Sequence, residues 1–213
     1  MAALAAVYIV STFIPVDVFL GGAGIITLEI VMVPIMAAIL RPLPAAVSVG
    51  IGSLGMAVFG TGIYPFFGIL SVLVPVIATI LGSFGFHYRL GPLVPWAYVV
   101  LGALYYLDFS KGGTLLWLIP YAVVIFSLPL AFRVSGPQRI GLLSFYVAMS
   151  WQVTLNILSI SVAGLTDGFW IGVVPFMFFE RAVATIASAS VIVALKSRLG
   201  MRLELGQALA GVK

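Results

Sequence analysis

Glu180 and Arg181 are adjacent charged residues in the middle of the apolar stretch VPFMFFERAVATIAS (174–188). In a helix that rises 1.5 Å per residue they lie about 15 Å below Trp170, near the middle of a bilayer. Ionisable residues at that depth are energetically costly and usually mark a binding or transport site. Because neighbouring helical residues point about 100° apart, we expect each to need a partner from another helix, a ligand or water.

The preceding apolar stretch, LLSFYVAMSWQVTLNILSISV (142–162), carries two amide side chains. Gln152 and Asn156 are four residues apart and therefore share one helix face. Gln152 lies about 15 Å below the end of the stretch and so matches Glu180 in depth. The sequence predicts one polar cluster that opens toward the outer side and consists of Gln152, Asn156, Glu180 and Arg181. Aromatic walls for this cluster are expected from Trp151, Phe178 and Phe179.

Glu29, in the stretch ITLEIVMVPIMAAIL, is another intramembrane acid. It lies about one turn below the outer surface, roughly 10 Å above the level of Arg181. We therefore expect it to line the outer part of the same cavity without forming a direct ion pair. Two interpretations of the whole set stay open, a substrate or ion site and a structural polar network that locks the bundle.

Composition predicts the class of fold that holds these residues. Of 213 residues, 63% are hydrophobic and 8% are charged, and the mean hydropathy is +1.27. Soluble domains carry roughly 25% charged residues. Apolar stretches of about 20 residues recur along the chain, which is typical of spanning helices. We predict an all-α, multi-pass bundle in the cell membrane, in contact with lipid, with one transmembrane domain (1–213) and a short cytoplasmic tail (200–213).

Turn-forming and charged residues divide the chain into about eight predicted spans. Their approximate ranges are 2–20, 25–40, 45–60, 65–86, 93–107, 114–132, 140–162 and 170–195. If both termini are cytoplasmic, Lys111 is the one basic residue in an outer loop, which is a strong positive-inside asymmetry. The basic residues then predicted on the cytoplasmic side are Arg41, Arg89, Arg133, Arg139, Lys196, Arg198, Arg202 and Lys213.

Catalytic and metal-binding patterns are weak in this sequence. It contains no cysteine, and its single histidine, His87, lies in a predicted loop. No nucleophile-elbow spacing, paired acidic motif or metal-ligand spacing occurs. The basic residues are scattered singly and form no patch for nucleic acid. We expect a protein that is not an enzyme and that uses neither a metal nor a cofactor.

Small residues mark the third predicted span. In SVGIGSLGMAVFG, Ser48, Gly52 and Gly55 form a surface that allows a neighbouring backbone to approach closely. We favour packing within the bundle over an interface with a partner.

Two stretches carry a family resemblance. Residues 26–82 run from an apolar, proline-containing helix through a tight turn into a glycine-rich helix and a PFFG turn, and residues 174–199 end in a basic segment. This pattern resembles the substrate-binding S components of energy-coupling factor (ECF) vitamin transporters. That family typically has six spanning helices, so 93–132 would be an additional hairpin. Its first helix docks on the coupling subunit through an alanine-x-x-x-alanine surface, whose spacing Ala2 and Ala6 match.

The resemblance implies that the protein captures a small, vitamin-like molecule from outside. Transport would need a coupling transmembrane subunit and ATPases in trans, because the sequence contains no nucleotide-binding loop. Arg181 would recognise an anionic group or pair with Glu180, and Gln152 and Asn156 would hydrogen-bond the ligand. Two alternatives are an accessory subunit of a larger membrane complex, and a self-sufficient transporter or channel in which Glu29 and Glu180 are proton-linked acids.

Overall fold

The computed structural model describes residues 2–16, 26–110, 115–162, 164 and 167–199, and the regular elements in these ranges are all helical. The all-α prediction is confirmed. Two 3₁₀ segments, Gly68–Val72 and Leu115–Leu118, lead into longer helices. The helices are α1 Ala2–Ser11, α2 Glu29–Ile39, α3 Pro42–Phe59, α4 Tyr64–Phe67, α5 Leu73–His87, α6 Leu93–Ser110, α7 Ile119–Arg133, α8 Gly136–Ser161 and α9 Asp167–Leu199.

Helix length and hydropathy confirm a membrane protein and give a smaller number of full-length spans than predicted. Within the described ranges, five segments are long and apolar enough to cross a bilayer. They are Pro42–Phe59, Tyr64–His87, Leu116–Arg133, Gly136–Ser161 and Pro175–Arg198. The apolar helices α1 and α2 are shorter, as is the segment Leu93–Asp108 of α6. The 11 residues of α2 cover only about 17 Å of a core about 30 Å thick. Eight full spans therefore remain a prediction.

The first predicted range differs from the observed helix because apolar residues also occur in connections. The first span was predicted over 2–20, but α1 ends at Ser11 and is followed by turns and a β-bridge between Pro15 and Thr27. Residues 17–20 lie outside the described part of the chain, as does the predicted cytoplasmic tail at 200–213. Hydropathy alone therefore overestimates the length of the first helix.

Contacts between helix ends define two ends of the bundle. At one end the Thr61 hydroxyl, after α3, donates to Oγ1 of Thr12, after α1, at 3.1 Å. At the other end the Ser83 hydroxyl, in α5, donates to the carbonyl of Leu40, after α2, at 2.5 Å. The basic residues near the ends of helices on this second side are Arg41, Arg89, Arg133, Arg139, Lys196 and Arg198. The assignment of this side to the cytoplasm stays a prediction.

Helix α8 lies at the centre of the bundle, in contact with α2, α5, α6, α7 and α9. Glycines on two neighbours allow the close approach. A Cβ atom on Gly82 of α5 would overlap the Val147 side chain, and one on Gly102 of α6 would lie 2.5 Å from Cγ1 of Val153. Membrane helices pack through such small residues because the lipid supplies no hydrophobic drive for association. The polar side chains of α8 are thereby enclosed by protein.

The small-residue face of α3 packs against α1. A Cβ atom on Gly52 would lie 2.6 Å from Cδ1 of Tyr8, and one on Gly55 would lie 3.0 Å from Cγ1 of Ile9. The prediction of packing within the bundle is therefore confirmed. The opposite face of α1 is exposed and includes Ala2 and Ala6. Its proposed contact with a partner stays a prediction.

Candidate functional site

Arg181 is buried between α9 and α8, with 1% of its surface exposed. Its Nη1 donates to the carbonyl of Ala148 at 3.3 Å, and its Nη2 donates to Oε2 of Glu180 at 3.4 Å. The guanidinium carbon lies 4.7 Å from the centre of the Trp151 ring, which is within range of a cation–π interaction. As predicted, the neighbouring helix supplies partners for the buried charge.

Glu180 and Arg181 also contact each other, which is one of the two roles that the family resemblance implies for Arg181. Their 3.4 Å contact is an ion pair between side chains that are 9% and 2% exposed. The backbone directions diverge as helical geometry requires, but both side chains are long enough for their ends to meet. At 3.4 Å this hydrogen bond is longer than the usual range, and Nε of Arg181 has no hydrogen-bond partner in the described part of the chain.

A directed chain of hydrogen bonds continues along α8 to α7. The Gln152 amide donates to Oδ1 of Asn156 at 2.6 Å, and the Asn156 amide donates to the Tyr121 hydroxyl oxygen at 2.7 Å. The predicted pairing of Gln152 and Asn156 on one helix face is confirmed. Tyr121 was not predicted, because nothing in its local sequence indicates that α7 faces α8 at this depth. We call these residues the Arg181 cluster, which consists of Tyr121, Trp151, Gln152, Asn156, Glu180 and Arg181.

The Arg181 cluster contains two buried donors that have no hydrogen-bond partner. Among the described residues, Nε of Arg181 and Nε1 of Trp151 are buried without a hydrogen-bond partner. The Tyr121 oxygen accepts a bond from Asn156 and pairs with neither of these two nitrogens. An unpaired buried donor costs about 1–3 kcal/mol, and more when it is charged. The chemical complement of this cluster is an anion or another group rich in acceptors.

Two of the predicted aromatic walls lie elsewhere. Phe178 and Phe179 are 37% and 48% exposed, whereas Trp151 is fully buried. The buried side of α9 includes Met177, Arg181, Ala184 and Ser188, and their spacing of three or four residues follows one helix face. The prediction for Phe178 and Phe179 is wrong because nearness in sequence does not place residues on one helix face.

Glu29 contacts a different part of the bundle. The Tyr8 hydroxyl donates to Oε2 of Glu29 at 3.0 Å, and neither side chain has any exposed surface. A Cβ atom on Gly62 would lie 3.3 Å from Oε1 of Glu29 and 3.3 Å from the sulfur of Met56. The carboxylate of Glu29 thus faces α1 and the loop after α3. These contacts do not support the prediction that Glu29 lines one cavity with Arg181, because depth in a membrane does not define the direction in which a helix faces.

The hydroxyl of Tyr121 allows a test of the hydrogen bonds that run from Gln152 through Asn156 to Tyr121. Replacing Tyr121 with phenylalanine removes the acceptor of the Asn156 amide, so we expect the free energy of unfolding to fall by about 1–3 kcal/mol. Tyr105→Phe is the matched control, because its hydroxyl bonds Ser161 at an exposed position. Thermal unfolding in the same detergent measures both. Equal stability of Tyr121→Phe and the unaltered protein would show that the chain does not stabilise the bundle.

Comparison with known proteins does not identify this chain. No protein family, curated protein or solved structure matches it. The resemblance to S components therefore rests on the stretches 26–82 and 174–199 alone. Among the described residues, no group of three or more histidine, aspartate or glutamate side chains could hold a metal ion.

Proposed function

We propose that this protein is the substrate-binding component of a small-molecule uptake transporter in the cell membrane, with the Arg181 cluster as its binding site. The supporting observation is that Nε of Arg181 and Nε1 of Trp151 are buried donors without a partner among the described residues. Unpaired buried donors are costly, and these two belong to side chains that contact each other. An acceptor group on a bound ligand would pair with both nitrogens.

Each member of the Arg181 cluster has a role in this proposal. Arg181 binds an anionic group of the ligand, because a guanidinium presents a planar fork that matches a carboxylate. The Trp151 ring covers an apolar part, and its N–H donates to the ligand. Gln152 and Asn156 bond polar ligand edges, and Glu180 holds the guanidinium in place. Predominantly apolar walls with a few directed polar groups are typical of small-molecule sites.

The energy for uptake comes from outside this chain in our proposal. The resemblance to S components implies a coupling transmembrane subunit and separate ATPases. On α1, Ala2 and Ala6 are exposed, and we propose that this face docks on the coupling subunit. Small side chains allow helices to approach closely in lipid, which suits such an interface.

Recovery of the ligand tests the binding role. The protein is purified from membranes in mild detergent and denatured, and the released small molecules are identified by mass spectrometry. We expect one acidic compound from the unaltered protein and at least about tenfold less from Gln152→Ala and Arg181→Lys, which corresponds to losing about 1.4 kcal/mol of binding free energy. Phe126→Ala is the control, because Phe126 is 80% exposed on α7.

Two outcomes distinguish the proposal from its alternative. An equal yield from all four proteins would identify the compound as a contaminant. A consistently empty protein whose Gln152→Ala and Arg181→Lys variants differ only in stability would favour an accessory subunit with a structural polar network.

The energy source is tested with the recovered compound in labelled form. We expect uptake by cells to stop when ATP is depleted and to continue when the proton gradient is dissipated. The opposite dependence would contradict an ATP-driven module and favour a self-sufficient secondary transporter.

A further inference from the structure

A second polar group lies where α1 and α3 meet the start of α2. We call it the Glu29 centre, and it consists of Tyr8, Thr27, Glu29 and Ser53. All four residues are buried. Ser53 interacts with Tyr8, and Thr27 interacts with Glu29. This group shares no member with the Arg181 cluster.

The two carboxyl oxygens of Glu29 have different surroundings. Oε2 accepts the hydrogen bond from Tyr8 at 3.0 Å. Oε1 and the Thr27 hydroxyl are both buried without a well-formed hydrogen bond to a described residue. A Cβ atom on Gly62 would lie 3.3 Å from Oε1 of Glu29 and 4.0 Å from Oγ1 of Thr27. Both oxygens therefore face the same small space.

No basic side chain in the described part of the chain contacts the Glu29 carboxyl. Tyr8 faces it from α1, and α3 carries no charged residue. His87 lies at the end of α5 and Arg139 lies near the start of α8, so both are at the other end of the bundle from Glu29. Tyr146 bonds Ser127, and Arg181 bonds Ala148 and Glu180, so neither group is directed at Glu29.

A buried carboxylate without a counter-charge is unstable. The penalty for removing one ion from water is several kcal/mol even after the protein relaxes, and one neutral donor does not offset it. A hydrogen bond from Thr27 to Oε1 would satisfy both oxygens but would leave the charge. A proton on Oε1 would satisfy them and also remove the charge.

We propose that the Glu29 centre is a proton-binding site, in which Oε1 carries the proton and donates it to Oγ1 of Thr27. The reaction is simple proton binding, in which a carboxylate and a proton form a neutral carboxylic acid. Tyr8 continues to donate to Oε2. Release of the proton needs water at the carboxylate, and therefore separation of α1 from α2 and α3. The bound proton thus holds α1 in its packed position.

Infrared spectroscopy of the full-length protein in lipid nanodiscs tests this site. The carbonyl band of a protonated carboxylic acid lies at a higher frequency than those of amides and carboxylates, and it shifts when light water is replaced by heavy water. The chain has 6 acidic residues. At neutral pH we expect such a band in the unaltered protein and its loss in Glu29→Gln, which keeps the size of the side chain. We expect a shifted band in Tyr8→Phe, because the donor to Oε2 is removed.

Two results decide the inference. The absence of any band that depends on Glu29 and Tyr8 would overturn it, because Glu29 would then be a carboxylate. The Tyr8→Phe spectrum remains informative if Glu29→Gln does not fold. Arg181→Lys should leave the band unchanged, so the proton site is tested independently of ligand binding.

Discussion

Replacement of Arg181 with alanine is expected to lower the free energy of unfolding by about 3–5 kcal/mol. The change leaves Glu180 buried without its ion partner, and an uncompensated buried charge is strongly destabilising. It also removes the side chain that fills the space against the Trp151 ring. Denaturant titration of the protein in detergent, followed by Trp fluorescence, measures the loss.

Arg181→Lys is the matched variant for this prediction. Lysine retains the positive charge near Glu180 but lacks the planar fork and is more strongly hydrated. We expect it to recover most of the stability that Arg181→Ala loses while still failing to retain ligand. Equal instability of the two variants would show that geometry, and not charge compensation, governs the stability of the pair.

Replacement of Gly82 with alanine is expected to destabilise the bundle by about 1–3 kcal/mol, the usual cost of overpacking. The added methyl group would overlap Val147 on α8 and would lie 3.0 Å from Cβ of Ala37 on α2. The helices α5 and α8 would have to separate at the centre of the bundle. Gly141→Ala is the control, because a Cβ atom there has no neighbour within 4 Å.

A double-mutant cycle identifies the contact responsible. Val147→Ala removes the two methyl groups that meet the new side chain, so it should offset part of the cost of Gly82→Ala. We expect a favourable coupling of about 1 kcal/mol or more between the two changes, measured as free energies of unfolding. Strict additivity would show that α5 and α8 do not approach each other at these residues.

The sequence allowed the fold class and part of the candidate site to be predicted, because those predictions depend on local spacing. Apolar runs of helical length indicated an all-helical membrane protein. Four-residue spacing placed Gln152 and Asn156 on one face, and the matching depth of Gln152 and Glu180 indicated that Arg181 finds partners on α8. Both follow from regular helix geometry.

The remaining contacts depend on how distant helices are rotated about their axes. Tyr121 joins Asn156 across 35 residues, and Tyr8 joins Glu29 across 21. The spacing of residues in the sequence carries no information about these rotations. Estimates of depth placed Glu29 near the outer end of a helix but could not show that it faces α1. The misplacement of Phe178 and Phe179 has the same cause.

An experimental density map of the protein purified from its membrane, centred on the Arg181 guanidinium, tests the central claim most directly. The proposal predicts density that no protein atom explains, within hydrogen-bonding distance of Nε of Arg181 and Nε1 of Trp151. Protein acceptors at both nitrogens, with no additional density beside them, would contradict it.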